Sequence, residues 1–280
     1  MSMEDRLNGL INKLRGMNMS KKIENAKFAK KWLQQISENK VWSRAIDIAA
    51  ENTTHRKECL ISLEEREFVK SHINSCETQV LINSDKSNKA IEDCYLAGDD
   101  MICVLNFASY FNPGGGFMKG AFAQEESLCA VSGLYPVLEK QEVYSIRAES
   151  PTPPEYGDEI LYSRSVPFTT FEGECGNPYL VDVLSCSAPN CNRITLTHQD
   201  YYIKALNKRI EAIYLLPFIM GVEVLILGAW GCGVFKNDPG LISNKFAEVM
   251  SKYPGLYKKV VFACGSKSNA EIFKQNIRIM

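Results

Sequence analysis

The sequence MICVLNFASYFNPGGG, residues 101–116, joins a run of apolar residues to a glycine loop. Its first nine residues are typical of a strand buried on both faces, because apolar residues follow one another instead of alternating with polar ones. Glycines at the carboxyl end of such a strand let backbone N–H groups approach a bound anion closely. We therefore expect an α/β protein with a ligand site where this strand ends.

Similar apolar runs recur along the chain and alternate with helical patterns. The predicted strands are QVLIN (79–83), EILYSRSVPF (159–168), PYLVDVLSCSAPN (178–190), EVLILG (223–228) and KKVVFACGS (258–266). Helices are predicted over 1–38, 40–75, 86–97, 123–134, 201–219 and 239–253. Alternation of this kind predicts a largely parallel or mixed sheet that is covered by helices on both faces.

The length and charge of the chain limit its organisation and its partners. A chain of 280 residues predicts one large domain, here 39–280, preceded by a helical and basic extension over 1–38. The net charge of −1 argues against a broad basic surface for duplex nucleic acid. Residues 1–40 carry nine Lys or Arg and four Asp or Glu, which is more typical of a solvated helix than of a docking arm.

The cysteines indicate whether a metal site is expected and in which compartment the chain is expected, and the apolar runs indicate whether a membrane partner is expected. The ten cysteines are scattered without a CxxC pair, and the three histidines lie at no ligand spacing from them, so we expect no metal. The scattered thiols and the absence of a signal-like start predict a reducing, cytoplasmic location. No apolar run approaches 18 residues, so we expect no membrane partner.

A second strand runs into glycines at GAWGCGVF, residues 228–235, and two adjacent acids follow the first loop. Such loops bind phosphate through backbone N–H groups, but each could also serve only as a turn. Glu125 and Glu126 begin a predicted helix, where acids are favoured by the helix dipole. Alternatively, a carboxyl held beside a phosphate-binding cleft has a raised pKa and can act as a general acid. The residue types alone leave both interpretations open.

The order of motifs is similar to that of the microbial-type poly(ADP-ribose) glycohydrolases, whose catalytic core is a macrodomain. The similarity covers about residues 40–275 and rests on RAIDIAAENT (44–53), LNFAS with NPGGG (105–116), QEE (124–126), ILYSRSVPF (160–168), SAPN (187–190) and LILGAWGCGVFKNDP (225–239). It implies a three-layer α/β/α macrodomain-like fold with a mixed sheet and an N-terminal helical extension. Asn112 departs from the expected residue before PGGG, and residues 1–38 have no counterpart in the family.

The resemblance also implies a role for each matching residue. Glu126 is expected to be the catalytic acid at the ribose–ribose bond, and Glu125 to orient the neighbouring ribose hydroxyls. No cofactor is implied. The expected substrate-binding residues are Asn106, Gly114, Gly115, Gly116, Gln124, Gly231, Cys232, Gly233, Val234 and Phe235. A bulky residue at Gly115 is expected to weaken binding, because the backbone there touches the ligand.

The function predicted from the sequence is hydrolysis of ribose–ribose bonds in poly(ADP-ribose), with release of ADP-ribose from the chain end. One alternative is removal of a single ADP-ribose from a modified protein or nucleic acid, since the same loops would bind the same unit. Another is a reader that binds ADP-ribose without hydrolysis. The pair Glu125 and Glu126 argues against a reader, because binding alone does not require two carboxyls.

Overall fold

A mixed sheet lies at the centre of the residues that the computed structural model describes, which are 3–58, 61–149, 153, 155–170 and 173–277, with side chains from residue 18 onward. Its strands are β1 (Thr54–Arg56), β2 (Gln79–Asn83), β3 (Ile102–Phe107), β4 (Ile160–Phe168), β5 (Tyr179–Cys186), β6 (Val224–Leu227) and β7 (Lys259–Ala263). Their order is β1-β4-β5-β3-β6-β7-β2. The β1–β4 and β4–β5 pairs are antiparallel, and the other pairs are parallel.

Helices cover both faces of this sheet. They are α1 (Met3–Glu38), α2 (Lys40–Glu51), α3 (Leu63–Ser71), α4 (Ser87–Leu96), α5 (Gln124–Cys129), α6 (Leu134–Glu139), α7 (Val143–Glu149), α8 (Gln199–Ile219), α9 (Pro239–Lys252) and α10 (Lys267–Asn276). No described helix is both long enough and apolar enough to cross a membrane.

The alternating side chains of β3 show how the layers are separated. Cys103 and Leu105 belong to an apolar cluster that includes residues of α8, α9 and α10. Ile102 and Val104 point to the opposite face, where the cluster includes residues of α1, α2 and α4. Successive side chains of a strand point to opposite faces, so a wholly apolar strand must be covered on both. The predicted three-layer α/β/α fold with a mixed sheet is confirmed.

Helix α1 packs against the core along its second half. Ala29, Trp32 and Ile36 are buried and lie on one side of the helix, as their spacing requires. The indole Nε1 of Trp32 donates to the carbonyl oxygen of Ser132 at 3.1 Å, and the ring meets that of Trp42 edge-on at 5.3 Å. This packing joins the end of α1 to the sheet, whereas the domain boundary between residues 38 and 39 stays a prediction.

Two of the predicted helices are interrupted. The helix predicted over 40–75 ends at Glu51, because β1 pairs with the start of β4 before α3 begins. The helix predicted over 123–134 divides into α5 and α6 at Gly133. A Cβ on Gly133 would lie 2.6 Å from Cγ1 of Ile46, so α2 packs directly against the break. Helices α7 and α10 were not predicted.

Candidate active site

A cavity of about 560 Å³ opens at the carboxyl ends of three neighbouring strands, β3, β6 and β7. Its wall includes both acids of the QEE motif and parts of both predicted glycine loops. Ligands of open α/β sheets bind at this edge, where loops from adjacent strands meet. The structure therefore brings together segments that are about 100 residues apart in the sequence.

Glu125 is buried in the cavity wall, with 4% of its surface exposed. Its Oε2 accepts a hydrogen bond from the backbone N–H of Ser109 at 2.7 Å, and its Oε1 accepts one from Nδ2 of Asn106 at 3.2 Å. Burial raises the pKa of Glu125 to about 8, because it removes water from the charged form, and the two hydrogen bonds only partly oppose this shift. This carboxyl therefore carries a proton at neutral pH.

Glu126 is held by backbone groups on both of its oxygens. Its Oε1 accepts from the N–H of Gly116 at 2.7 Å, and its Oε2 accepts from the N–H of Ala123 at 2.9 Å. The contact with Ala123 closes the first turn of α5 as a capping interaction. Glu126 lines the cavity while 6% of its surface is exposed, so its carboxyl has a fixed orientation beside the space for a ligand.

Two glycines of the first loop, Gly114 and Gly115, differ in what they contact. Gly114 and Gly115 both have positive φ angles, of 64° and 62°, which disfavour any residue with a side chain. A Cβ on Gly115 would lie 2.6 Å from Oε1 of Glu126 and 2.9 Å from Oε2 of Glu125. A Cβ on Gly114 would instead meet the ring of Tyr135 at 2.7 Å, away from the cavity lining. Gly115 thus makes room for both carboxyls.

The side chains of two predicted ligand-binding residues, Gln124 and Asn106, form hydrogen bonds within the protein. Gln124 lines the cavity, but its Nε2 donates to the carbonyl oxygen of Leu105 and to Ser87, and its Oε1 accepts from the N–H of Phe107. These contacts join α5 to the end of β3. Asn106 is fully buried behind Glu125 and is not part of the cavity wall.

The second loop contributes several residues to the cavity wall. Gly231, Gly233, Val234 and Phe235 all line it, and in the described part of the chain their N–H groups have no protein acceptor. Asn237 fixes the loop, because its Nδ2 donates to the carbonyl oxygens of Gly231 and Pro189. The geometry suits a diphosphate, whose oxygens accept from such N–H groups.

Cys232 is the member of this loop that faces away from the cavity. Its N–H donates to the carbonyl oxygen of Ala229, and its thiol packs against the apolar core. Burial raises the pKa of the Cys232 thiol to about 12, so the thiolate needed for a nucleophile is not formed. The sequence did not decide whether Trp230 packs in the core or lines the cleft. In the structure its side chain is fully buried in the core.

Several residues of the cavity wall were not predicted. They include Lys86, Ser87, Lys119, Phe122, Cys264, Gly265, Ser266 and Asn269. Cys264, Gly265 and Ser266 come from a third loop, between β7 and α10, whose CGS sequence repeats the pattern of an apolar strand running into glycine, and Asn269 lies in the first turn of α10. Lys86 lies 4.9 Å from the centre of the Phe122 ring, a cation–π contact. Among the described residues, no cluster of His, Cys, Asp or Glu could hold a metal ion.

Comparisons with known proteins agree with the fold described above. The family model described as microbial-type PARG, catalytic domain, matches residues 15–170 and so begins inside the segment that had no counterpart in the sequence analysis. A Thermomonospora curvata poly(ADP-ribose) glycohydrolase bound to the inhibitor ADP-HPD is 26% identical, with a TM-score of 0.77 over 90% of this chain and 98% of that one. A Deinococcus radiodurans poly(ADP-ribose) glycohydrolase in complex with ADP-ribose is 27% identical, with a TM-score of 0.74 over 83% and 96%. A search of curated proteins finds no match.

Proposed function

Because the chain belongs to the microbial-type poly(ADP-ribose) glycohydrolase family, a family of glycosyl hydrolases, we propose that its cavity binds the last ADP-ribose of a polymer and releases it by hydrolysis. One observation carries this proposal. Two adjacent buried carboxyls, Glu125 and Glu126, share a cavity with a loop in which four backbone N–H groups have no protein acceptor among the described residues. The carboxyls supply acid and base chemistry, and the N–H groups supply a site for phosphate.

The order of the loops supports one orientation of the ligand. The acids follow β3, the loop with Gly233 follows β6, and the loop with Ser266 follows β7. These strands are neighbours, at a spacing of about 4.8 Å in any sheet. We place the terminal ribose beside Glu125 and Glu126, the diphosphate over the β6 loop, and the adenosine toward Ser266. Phe235 borders the ribose in this arrangement.

Glu126 is the residue that we assign to the proton transfer. In its protonated form it donates a proton to the 2′-oxygen of the preceding ribose, and the bond from that oxygen to the anomeric carbon breaks. The positive charge that develops on the anomeric carbon is favoured by the nearby diphosphate. A water molecule then attacks this carbon and gives its proton to the Glu126 carboxylate, which restores the acid. The preceding chain leaves with a free 2′-hydroxyl.

Glu125 and Asn106 have supporting roles in this mechanism. With a pKa of about 8, Glu125 is neutral at pH 7 and can both donate to and accept from the ribose hydroxyls. Its neutrality also avoids a second negative charge beside Glu126 and the diphosphate. Asn106, whose Nδ2 contacts Oε1 of Glu125, acts on the ribose through that carboxyl.

Release from the chain end and a cytoplasmic location are further parts of the proposal. The family resemblance implies release from the end, and a product consisting of single ADP-ribose units from the first minutes would support it. All nine described cysteines are free thiols, which a reducing compartment maintains. ADP-ribosylated proteins are the expected partners in that compartment.

The test compares the wild-type chain with Glu126→Gln on poly(ADP-ribose) and on a mono-ADP-ribosylated protein. Free ADP-ribose is measured by chromatography, and ADP-ribose binding by calorimetry. Release from the polymer by the wild type alone supports the proposal and the acid. Release only from the mono-modified protein assigns a mono-ADP-ribosyl hydrolase on the same fold. Binding of ADP-ribose without release from either substrate identifies a reader.

A further inference from the structure

The carboxylate of Glu126 closes a short loop of the chain. It accepts hydrogen bonds from the backbone N–H groups of Gly116 and Ala123, which are the first and last residues of the segment 116–123. We name this segment the acid loop. Because each end holds one oxygen of the carboxylate, the position of Glu126 depends on the conformation of the acid loop.

Few hydrogen bonds within the acid loop maintain its shape. The N–H groups of Lys119 and Ala121 donate to the carbonyl oxygen of Gly116, and that of Gly120 donates to the carbonyl oxygen of Phe117. Gly120 has a φ of 75°, and its own carbonyl oxygen points out of the loop toward α1. The middle of the loop therefore depends on contacts with another element.

Helix α1 supplies those contacts at Gly120. The side chain of Asn25 donates through Nδ2 to the carbonyl oxygen of Gly120 at 3.2 Å. The backbones also touch, because a Cβ on Gly120 would overlap the carbonyl oxygen of Lys22. Beside this contact, Glu24 and Phe28 of α1 share a cavity of about 200 Å³ with Phe117, Ala121 and Phe122 of the loop.

Helix α1 is itself fixed to the core one to three turns further on. Ala29, Trp32 and Ile36 are buried, and Trp32 is hydrogen-bonded to Ser132. A helix transmits this attachment rigidly over such a distance, since its backbone hydrogen bonds hold the turns together. Asn25 therefore presents its amide to the acid loop from a fixed support.

We propose that α1 positions the catalytic acid, and that Asn25 is the positioning residue through which it acts. The proposal rests on the proposed role of Glu126. The basic N-terminal segment then has a role in catalysis, and not in binding a partner. Asn25 does not touch the substrate; it acts on Glu126 through Gly120 and the two ends of the acid loop.

The test uses Asn25→Asp in the full chain, with Asn18→Asp as its matched control. Asn18 is an exposed residue of the same helix, and the substitution is chemically identical. In Asn25→Asp a carboxylate oxygen faces the Gly120 carbonyl oxygen, so two acceptors repel. We expect kcat on poly(ADP-ribose) to fall about tenfold or more, because small displacements of a catalytic group carry costs of that size. The melting temperature should stay near the wild-type value, since the core is unchanged. KM should change less than kcat, since the loop after β6 that we assign to the diphosphate lies outside the acid loop.

A second readout does not depend on the reaction. Hydrogen exchange at the N–H groups of Gly116 and Ala123 reports their bonds to Glu126 directly, and we expect it to be faster in Asn25→Asp but not in Asn18→Asp. Unchanged exchange, or a kcat equal in the two variants, overturns the proposal. If the wild type released no ADP-ribose at all, the proposed function would fail, whereas the exchange result would still decide the role of Asn25.

Discussion

Nδ2 of Asn106 lies 3.2 Å from Oε1 of Glu125, while Oδ1 of the same amide has no partner among the described residues. The amide is fully buried and also donates to Ser185 at 3.0 Å. A neutral amide and the backbone N–H groups of Ser109 and Gly114 are weak compensation for the water that Glu125 loses on burial. This is why the pKa of Glu125 is raised to about 8 in spite of its hydrogen bonds.

The first prediction concerns stability against pH. Between pH 4.5 and about 8 the folded chain keeps a proton on Glu125 that the unfolded chain releases, so rising pH lowers the stability through this residue. In Glu125→Gln this contribution is absent. We expect the stability of Glu125→Gln relative to wild type to rise across that range by on the order of 5 kcal/mol and to level off above it, because one pKa unit corresponds to about 1.4 kcal/mol.

Urea unfolding of both chains without ligand, at intervals from pH 4.5 to 9, measures this difference. Glu139→Gln is the control, because Glu139 lies on the surface of α6 and contacts Tyr135. A stability difference between Glu125→Gln and wild type that does not change with pH would show that Glu125 is ionised at neutral pH.

The second prediction separates chemistry from binding at Glu126. Glu126→Gln cannot donate an acidic proton, so we expect turnover of poly(ADP-ribose) to fall by about 10³-fold. Its amide nitrogen can no longer accept from Ala123 or Gly116, which should cost about 1 kcal/mol of stability. The affinity for ADP-ribose should stay within about threefold of wild type by calorimetry. Equal losses of affinity and turnover would remove the acid role from Glu126.

The parts of the fold that follow from local pattern were predictable, and those that depend on distant partners were not. The apolar run of β3 predicts a strand covered on both faces, and the structure agrees. The strand β1 has three residues, and only pairing with Ile160–Tyr162 of β4 makes it a strand. Nothing local to Gly133 shows that Ile46 will pack against it and divide a helix in two.

In the candidate site, too, the features that follow from local sequence pattern were predictable and those that depend on distant contacts were not. The strand-to-glycine pattern indicated two of the loops at the cavity, and the loop after β7 has the same pattern at Cys264–Gly265–Ser266. Lys86 and Lys119 carry no comparable signal, since exposed lysines occur throughout the chain. The sequence also could not show that Gly115 touches the two carboxyls, because this requires α5 to fold back over the first loop.

That contact changes what a variant at Gly115 can test. A side chain there would displace Glu125 and Glu126, so we expect Gly115→Ala to lose turnover together with binding. Loss of binding with normal turnover at saturating substrate would contradict this expectation. The variant does not isolate the contact between backbone and ligand, which needs a glycine that has open space around it.

The third prediction uses Gly233 for that purpose. A Cβ on Gly233 meets nothing within 4 Å, and Gly176, remote from the cavity lining, has equal space. We expect Gly233→Leu to weaken ADP-ribose binding about tenfold or more, because the side chain occupies the place of the diphosphate, while Gly176→Leu binds normally. Calorimetry measures both affinities, and both melting temperatures should stay near that of the wild type. Equal affinities in the two variants would exclude the β6 loop as the diphosphate site.

The fourth prediction concerns Lys119, which lines the same cavity as the two acids. Its charge attracts the two phosphates of the ligand, so Lys119→Gln should weaken ADP-ribose binding about threefold to tenfold at low salt. The difference should shrink at high salt, since the screening length falls from about 10 Å at 0.1 M to about 3 Å at 1 M. The control is Lys70→Gln, whose side chain pairs with Glu67 on α3, in the layer that does not carry the acids. An affinity loss that is the same at both salt concentrations would mean that Lys119 acts by contact and shape, because only its charge is screened.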